Sequence, residues 1–306
     1  MPPARDKPAA EIDIDGELVV ALLEEQHEDL SAQTVTPVAS GWDNAIFRLG
    51  DELAVRLPRR QIAVAGTLLE QRWLPEIAQM VSLSVPDAVR IGRPSSTYPW
   101  PWTVVPWFDG STAGSELLAD QERFADDLGT FFLELHVEAP PELESSSIRG
   151  CKLALRDDSV RRTVAELGAS IDAATAIAIW DHALEVPGWT ADPVWVHGDV
   201  HPLNLILDKQ SNLSAVIDFG DLNAGDPATD LAIAWTAFDA AGRKRFRRAC
   251  RAARNPVDEA TWIRARAWAL NFALLYLNNS ADVPELRAIG RRALAHITAE
   301  AATDLA

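Results

Sequence analysis

The segment between residues 197 and 221 constrains this chain more than any other feature of its sequence. Residues 197–204 read His-Gly-Asp-Val-His-Pro-Leu-Asn, and after thirteen further residues Asp-Phe-Gly-Asp follows at 218–221. A short apolar stretch directly precedes each motif, as expected of buried strands. The pattern therefore predicts a small hairpin that carries three oxygen-bearing side chains, Asp199, Asn204 and Asp218.

These three side chains match the chemical needs of phosphoryl transfer. A carboxylate at Asp199, after a strand and a glycine, is suited to accept the proton of an acceptor hydroxyl as a general base. Asn204 and Asp218 offer the hard oxygen ligands that Mg²⁺ takes. The protein-kinase pattern H-R-D-x-x-x-x-N followed by D-F-G has the same Asp-to-Asn step. Each residue alone also suits a turn or a helix cap, but those roles do not explain the spacing.

Neighbouring residues of the motif are expected to support the loop. His197 and His201 are predicted to brace and shape it through hydrogen bonds, since a zinc site would need a third protein ligand that the nearby sequence lacks. Asp226, followed by Pro227, is typical of a helix N-cap with proline in the first turn. Asp230, one turn later, is expected to brace the catalytic loop.

The order of the elements predicts an α+β fold with two lobes. The N-terminal lobe should contain a five-stranded antiparallel sheet with one main helix, and the C-terminal lobe should be mainly helical around the hairpin. Predicted strands are 35–39, 45–49, 52–57, 87–92, 102–107, 194–196, 205–207 and 213–217. Predicted helices are 17–28, 61–73, a separate helix opened by Pro75 and ending at 80, 116–137, 157–167, 172–185, 227–239, 242–253, 258–279 and 284–300. Residues 1–105 would form the nucleotide-binding lobe, with 1–10 disordered, 106–110 the hinge, and 111–306 the catalytic and substrate-binding lobe.

Candidate nucleotide contacts lie in the first lobe. The turn containing Ser40, Gly41 and Asn44 lies between the first two strands, where a loop would cover phosphates. Arg56, on the third strand, carries a guanidinium that grips phosphate oxygens in pairs. Glu70, on the following helix, is its expected partner, and ordinary surface ion pairing is the alternative for both residues.

Charge and composition limit the classes of partner. Net charge is −17, with 28 Lys and Arg against 45 Asp and Glu, which disfavours a nucleic-acid binder and favours a cationic small molecule. Solubility alone is an equal explanation of that charge. The basic run at 243–248, with Arg251 and Arg254, is interpreted as a solvated helix face. No stretch resembles a membrane span or a signal peptide, and two cysteines fit a reducing cytoplasm.

The sequence resembles the aminoglycoside phosphotransferase family, the antibiotic kinases of the protein-kinase-like fold, with macrolide phosphotransferases as relatives. The matching segments are 196–204, 216–221, 225–232, 41–44 and 54–60. The resemblance implies Asp199 as base, Mg²⁺ on Asn204 and Asp218, nucleotide phosphates held by Arg56 and Glu70, and ATP or GTP as donor. It also implies that the backbone of Pro106, Trp107 and Phe108 meets the purine. Arg56 stands where most antibiotic kinases have lysine, and Leu203 stands where many members of the family have glycine.

The acceptor is the least constrained part of the prediction. An aminoglycoside is the first expectation, a macrolide or cationic peptide antibiotic the next, and the alternatives are a metabolic kinase of the choline, homoserine or sugar type and a nucleotide-binding regulatory pseudokinase. Either a monomer or a homodimer is compatible with the sequence. Residues expected to face the acceptor, with core packing as the competing interpretation of the last three, are Asp221, Trp268, Asn271 and Tyr276.

Overall fold

The computed structural model describes residues 8–114, 117–118, 120–252 and 257–304. The chain forms two compact units. Among the described residues, one unit comprises 8–110 and 214–222, and the other comprises those of 111–213 and 223–304. Residues 214–222 fall in the first unit, and the sequence-based domain boundaries stay a prediction. Arg254, Ser115, Glu116 and Ala119 lie outside the described residues, as does the side chain of Ser40.

The first unit is built on a five-stranded antiparallel sheet, as the sequence predicts. Its strands are β1 (Val35–Ser40), β2 (Asn44–Leu49), β3 (Leu53–Pro58), β4 (Arg90–Gly92) and β5 (Trp102–Pro106), in the order β1-β2-β3-β5-β4. Each neighbouring pair is antiparallel. Gly50 takes φ +58 in the tight turn between β2 and β3, a conformation that glycine adopts without steric cost.

Three helices accompany the sheet: α1 (Gly16–Gln26), α2 (Glu28–Ser31) and α3 (Val64–Met80). A 3₁₀ turn, Gln61–Ala63, leads into α3. The prediction of a new helix at Pro75 is wrong, because α3 continues through this proline. Proline costs the helix one backbone hydrogen bond. Burial of Leu74 and Ile77 on either side, at 2% and 0% exposure, offsets that loss.

The second unit is mainly helical. Its strands are β6 (Ser111–Thr112), β7 (Val194–Val196), β8 (Leu205–Leu207), β9 (Leu213–Val216, which continues into the first unit) and β10 (Asn223–Gly225). Its helices are α4 (Gln121–Leu135), α5 (Asp157–Leu167), α6 (Ala173–Glu185), α7 (Ala228–Leu231), α8 (Ile233–Ala237), α9 (Ala240–Ala249), α10 (Glu259–Asn279) and α11 (Pro284–Asp304). Within the described residues, none of the helices is apolar over a length that would cross a bilayer.

Helix α10 organises this unit. Asp258 caps its N-terminus by accepting a hydrogen bond from the Thr261 amide at 2.7 Å. The helix carries apolar and small residues on all its faces, which is the pattern of a buried helix. It packs against α5, α6, α7, α8 and α11. At Gly290 of α11, a Cβ would lie 3.0 Å from the Ala273 carbonyl oxygen, so this glycine permits the close approach of α11.

Some elements of the second unit differ from the prediction. The helix predicted at 116–137 begins at Gln121, where Asp120 accepts a hydrogen bond from the Arg123 amide at 3.2 Å. The helix predicted at 227–239 is two short helices, α7 and α8. Strand β10 was not predicted; it pairs antiparallel with β7. Its three residues carry no alternating pattern, and only the partner strand identifies it.

The basic run on α9 is not a simple solvated face. Arg243 is 8% exposed and pairs with Glu300 at 3.3 Å. Arg245 pairs with Asp126 of α4, and Arg247 with Glu259 of α10. Much of the charge of this run therefore joins helices of the second unit.

Removal of a buried ring should test the core of the second unit. Phe246 is fully buried and contacts Phe238 and Trp262, with ring centroids at 5.3 and 6.1 Å. Phe246→Ala should lower the free energy of unfolding by about 3–5 kcal/mol, measured by urea denaturation. Leu155→Ala, at a side chain that is 62% exposed, should stay within about 0.5 kcal/mol of the parent. Equal effects of the two substitutions would contradict this description of the core.

Candidate active site

One buried carboxylate fixes the loop that follows β7. Asp230, on α7, is 0% exposed, and its two oxygens accept hydrogen bonds from the backbone amides of His197 and Gly198, both at 2.9 Å. His136 Nε2 contacts the same carboxylate at 3.0 Å. Gly198 has φ +91, which favours glycine at this bend. The loop therefore leaves β7 in a single, strongly hydrogen-bonded conformation.

The loop turns the side chains of Asp199 and Asn204 to defined positions. The Asp199 amide donates to His197 Nδ1 at 3.2 Å, and the Asn204 side-chain amide donates to the Asp199 carbonyl at 3.0 Å. His201 caps the following 3₁₀ turn by accepting from the Leu203 amide at 3.2 Å. Because the side-chain nitrogen of Asn204 donates this hydrogen bond, the side-chain oxygen is the atom suited to bind a cation.

The carboxylate of Asp199 is partly exposed and lies beside two basic side chains. Its side chain is 28% exposed. Arg149 Nη2 lies 3.7 Å from Oδ1, and His201 Nε2 lies 3.8 Å from Oδ2. Sequence analysis did not select Arg149, since it lies fifty residues before the motif and belongs to no pattern.

The N-cap predicted at Asp226 is displaced by one residue, because Pro227 is the N-cap of α7. Asp226 Oδ1 accepts a hydrogen bond from the Ala228 amide at 3.0 Å. Its Oδ2 also accepts from Arg264 Nε at 2.7 Å, and both side chains are at most 8% exposed. Arg264 was missed by sequence analysis. An arginine inside the apolar helix α10 is the signal that identifies it, because a buried arginine needs a buried acid.

A second buried carboxylate, Glu70, holds the loop at 218–221 in the first unit. Glu70 Oε1 accepts from the Phe219 amide at 2.9 Å, while Oε2 pairs with Arg56 Nη1 at 2.9 Å. Arg56 Nη2 also lies 3.8 Å from Asp218 Oδ1. Burial raises the pKa of Glu70, and Arg56 opposes this. Burial lowers the pKa of Arg56, but the charges of Glu70 and Asp218 outweigh it, so the guanidinium stays charged.

Asp218 has an unusual backbone and an accessible carboxylate. Its φ is +70, a left-handed conformation that is uncommon outside glycine. The following Phe219 is fully buried, whereas the Asp218 side chain is 55% exposed. A Cβ on Gly66 would lie 3.2 Å from Gly220 Cα, so glycine allows α3 to approach this loop closely.

The turn between β1 and β2 is held by two arginines that sequence analysis did not name as site residues. The two ends of the turn are joined by a hydrogen bond that the Gly41 amide donates to the Asn44 carbonyl at 2.9 Å. Arg59 Nη1 donates to the Gly41 carbonyl at 2.8 Å, and Arg60 pairs with Asp43 at 3.0 Å. Desolvation raises the pKa of Asp43, and the charges of Asp218 and Asp221 raise it further. The three carboxylates thus concentrate negative charge in this unit.

The segment predicted as a hinge begins at the last residue of β5 and keeps one further hydrogen bond to the sheet. The Trp107 amide donates to the Glu52 carbonyl at 2.7 Å, so this amide is already used within the sheet. Trp107 Nε1 donates to Asp109 at 3.0 Å, and Arg48 lies 4.9 Å above the Trp107 ring. Pro106 ends β5, and the Phe108 side chain is half-buried. Backbone contact with a purine would therefore need groups other than the Trp107 amide.

The residues predicted to face the acceptor are divided between core and surface. Trp268 is 0% exposed and Asn271 is 2% exposed, because both belong to the helix surrounded by five others. Tyr276, at 8%, meets the His201 ring edge-on at 5.8 Å. Asp221 is half-buried in the first unit. Tyr276 contacts the loop that carries Asp199 through this ring contact with His201.

The donor set favours a hard cation over zinc. Within the described part of the chain, no three His, Cys, Asp or Glu side chains are arranged to hold a metal ion. Asn204 and Asp218 supply an amide oxygen and a carboxylate, each held by its own loop. Each of these oxygen donors is of a kind that Mg²⁺ takes as a ligand.

Comparison with protein families gives a decisive match. The model of the family described as "Phosphotransferase enzyme family" matches residues 34–268. The chain belongs to this family. The match confirms the predicted family and the predicted activity class, an enzyme that transfers a phosphoryl group to a hydroxyl acceptor. A search of curated proteins found no match.

Solved structures of family members share the fold. The GDP complex of wild-type aminoglycoside 2'-phosphotransferase-IIIa aligns with a TM-score of 0.71 at 18% identity, covering 94% of this chain and 99% of that one. Macrolide 2'-phosphotransferase MphH from Brachybacterium faecium aligns with a TM-score of 0.60 at 21% identity, covering 92% of this chain and 97% of that one. The streptomycin–ATP complex of APH(2'')-IIa aligns with a TM-score of 0.59 at 18% identity, covering 94% of this chain and 99% of that one. These similarities confirm the predicted kinase-like α+β fold.

The buried pair of Glu70 and Arg56 should matter strongly for stability. Glu70→Ala leaves the Arg56 charge and the Phe219 amide without this acceptor, so the free energy of unfolding should fall by about 3–5 kcal/mol in chemical denaturation. Asp29→Asn is the matched control, since the exposed Arg90–Asp29 pair should contribute only about 0–1 kcal/mol. A loss below about 1 kcal/mol for Glu70→Ala would contradict the role assigned to this carboxylate.

Proposed function

We propose that this phosphotransferase moves the γ-phosphoryl group of ATP or GTP to a hydroxyl of a small molecule, with Asp199 as general base. The observation that carries the proposal is the loop clamped by Asp230, which presents a partly exposed Asp199 carboxylate and whose Asp199 carbonyl holds the Asn204 side chain by its amide nitrogen. In the reaction, the acceptor oxygen bonds to the γ-phosphorus as the bond to the β-phosphate oxygen breaks. The hydroxyl proton passes to Asp199, and the electron pair leaves with the nucleoside diphosphate.

The nucleotide is proposed to bind in the first unit. The relatives with solved structures include a GDP complex and an ATP complex. Arg56, kept charged and oriented by Glu70, is suited to grip phosphate oxygens. Gly41 and Asn44 close the turn that would cover the phosphates, and Ser40 is proposed to take part in the same turn. Residues 106–108 would flank the nucleotide base.

Mg²⁺ is the proposed metal, held by Asn204 and Asp218. The Asn204 nitrogen is engaged by the Asp199 carbonyl, which leaves its oxygen end for a cation, and Asp218 adds an exposed carboxylate. When bound, the ion would neutralise charge on the phosphates. His197, His201 and Asp230 are proposed to keep the loop in place.

The acceptor proposed first is an aminoglycoside, in line with the kanamycin and streptomycin complexes of relatives and with the net charge of −17. A macrolide is the second candidate, since macrolide phosphotransferases share the fold. Asp221, Trp268, Asn271 and Tyr276 remain the proposed acceptor-side residues. Tyr276 has the strongest support, through its contact with His201. A cytoplasmic location suits an enzyme that uses ATP or GTP.

Replacement of Asp199 should remove turnover without removing nucleotide binding. Asp199→Ala should lower kcat by about 10²-fold or more in an assay of nucleoside diphosphate release with an accepted substrate. The dissociation constant for ATP, measured by calorimetry, should stay within about 3-fold. Asp158→Asn, at an exposed position of α5, is the control. Turnover that survives Asp199→Ala would exclude Asp199 as the base, and ATP binding with no turnover on any acceptor by the parent would favour a pseudokinase.

Replacement of Asp218 should weaken metal binding directly. Asp218→Asn removes the carboxylate charge and should raise the dissociation constant for Mn²⁺, measured by electron paramagnetic resonance in the presence of ADP, by about 10-fold or more. Asp51→Asn, in an exposed turn of the same unit, should leave that constant unchanged. Unaltered Mn²⁺ binding in Asp218→Asn would remove Asp218 from the metal site.

A further inference from the structure

Basic side chains follow one face of α9 and of the 3₁₀ turn that continues it. Residues three and four positions apart are neighbours on a helix surface. This basic stripe has five members at that spacing: Arg243, Lys244, Arg247, Arg248 and Arg251. In a chain whose net charge is −17, five of the 28 lysines and arginines thus lie side by side.

The basic stripe lines a cavity of about 780 Å³ within the second unit. Other walls come from Glu259 of α10 and from His296, Ala299 and Glu300 of α11. Cavities that hold small molecules commonly measure about 300–1,000 Å³. With five cations, two carboxylates and a neutral histidine, the cavity has an excess of three positive charges.

Two of the arginines are fixed in the wall of this cavity. Arg243 is 8% exposed and pairs with Glu300 at 3.3 Å. Arg247 pairs with Glu259 at 2.7 Å, and its guanidinium lies 4.9 Å over the Trp262 ring. These contacts use both carboxylates of the cavity and hold two positive charges in place.

The other three cations, Lys244, Arg248 and Arg251, are exposed. Within the described part of the chain, no ion pair joins any of these three side chains to an acid. The cavity therefore combines fixed guanidinium groups in its wall with exposed cations at its surface. An anion that enters it can contact both kinds of group.

Helix stability does not explain the basic stripe. Like charges four residues apart destabilise a helix. The helix dipole favours cations in the last turn, where Arg247 and Arg248 lie, but does not favour Arg243 and Lys244 nearer the N-terminus. A bound anion would remove this repulsion, which acts in three pairs: Arg243 with Arg247, Lys244 with Arg248, and Arg247 with Arg251.

His296 lies in the positive field of the cavity. Burial lowers the pKa of His296, and the charge of Arg243 lowers it further. Its Nδ1 contacts the Trp235 carbonyl at 3.4 Å, which orients the ring. The imidazole is therefore neutral near pH 7, and its NMR signals should respond to an anion bound beside it.

We propose that this cavity is a second ligand site, which binds a short chain of phosphate groups, as in a nucleoside triphosphate or an inorganic oligophosphate. Arginine and lysine side chains bind phosphate oxygens through charge-assisted hydrogen bonds. Because the cations follow one another along the stripe, several can contact one ligand, and affinity should rise with the number of phosphates. The inference does not depend on the proposed phosphotransfer, since it uses none of the residues assigned to that reaction.

Histidine NMR on the full chain tests the proposal at low ionic strength, where screening is weak. The His296 signal is identified by its loss in His296→Gln and is followed as phosphate, pyrophosphate or tripolyphosphate is added. Tripolyphosphate should shift this signal saturably, with a dissociation constant at least about 10-fold lower than that of phosphate. Because the signal is local, binding of a nucleotide at the catalytic site does not obscure the result.

A charge-matched pair of variants supplies the control. Lys244→Gln combined with Arg248→Gln removes two exposed cations of the cavity and should raise the dissociation constant for tripolyphosphate by about 10-fold or more. Lys209→Gln combined with Arg93→Gln removes the same charge from exposed positions outside the cavity. This control should stay within about 2-fold of the parent, because distant surface charges are screened.

Two results would identify the ligand within the proposed class. A lower dissociation constant for ATP than for tripolyphosphate at the His296 signal assigns the cavity to a nucleotide. The reverse order assigns it to an inorganic oligophosphate. Either result supports the inference.

Three results would overturn it. The first is a His296 signal that tripolyphosphate does not shift saturably, and the second is an affinity that the loss of Lys244 and Arg248 leaves unchanged; both would reduce the stripe to a solvated helix face. The third is an affinity that does not rise from phosphate to tripolyphosphate. Tighter binding of a single-stranded RNA of about eight nucleotides would likewise replace the proposed ligand with a nucleic acid.

Discussion

The buried carboxylate of Asp230 is the interaction on which the loop that carries Asp199 depends. A fully buried acid is costly unless its oxygens are satisfied, and here two backbone amides and His136 satisfy them. The same bonds fix the direction in which the chain leaves β7, and with it the place of Asp199. Glu70 plays the corresponding part in the other unit, where it holds the Phe219 amide and Arg56. Each loop of the motif is therefore oriented by a buried acid on a helix.

Local patterns predict much of this protein, and long-range contacts account for what they miss. Alternation and turn residues identify the five strands of the sheet, and the spacing of the 197–221 segment identifies the phosphotransferase family. Strand β10 escapes prediction because three residues form a strand only through their partner. The helix start predicted at Pro75 is wrong because burial of the neighbouring residues outweighs the one backbone hydrogen bond that the proline removes. Arg149 and Arg264 belong to the site or its support only through residues that lie 50 and 38 positions away.

Net charge and local charge act over different distances. The net charge of −17 favours a cation, but at physiological ionic strength surface charges are screened beyond about 8 Å. Arg149 lies 3.7 Å from the Asp199 carboxylate, well inside that distance. The charge that a bound acceptor meets is therefore set by the nearest side chains, and the whole-chain charge acts mainly on encounter and solubility.

The clamp on the catalytic loop is tested most directly at Asp230 itself. Asp230→Asn keeps the shape of the side chain but turns one acceptor oxygen into a donor that faces backbone N–H or His136. A loop displaced by about 1 Å should lower kcat by roughly 10²-fold. Circular dichroism should still report a folded protein, and the dissociation constant for ATP should stay within about 3-fold. A folded Asp230→Asn enzyme with the kcat of the parent would contradict the account, because the loop would then hold Asp199 without this carboxylate.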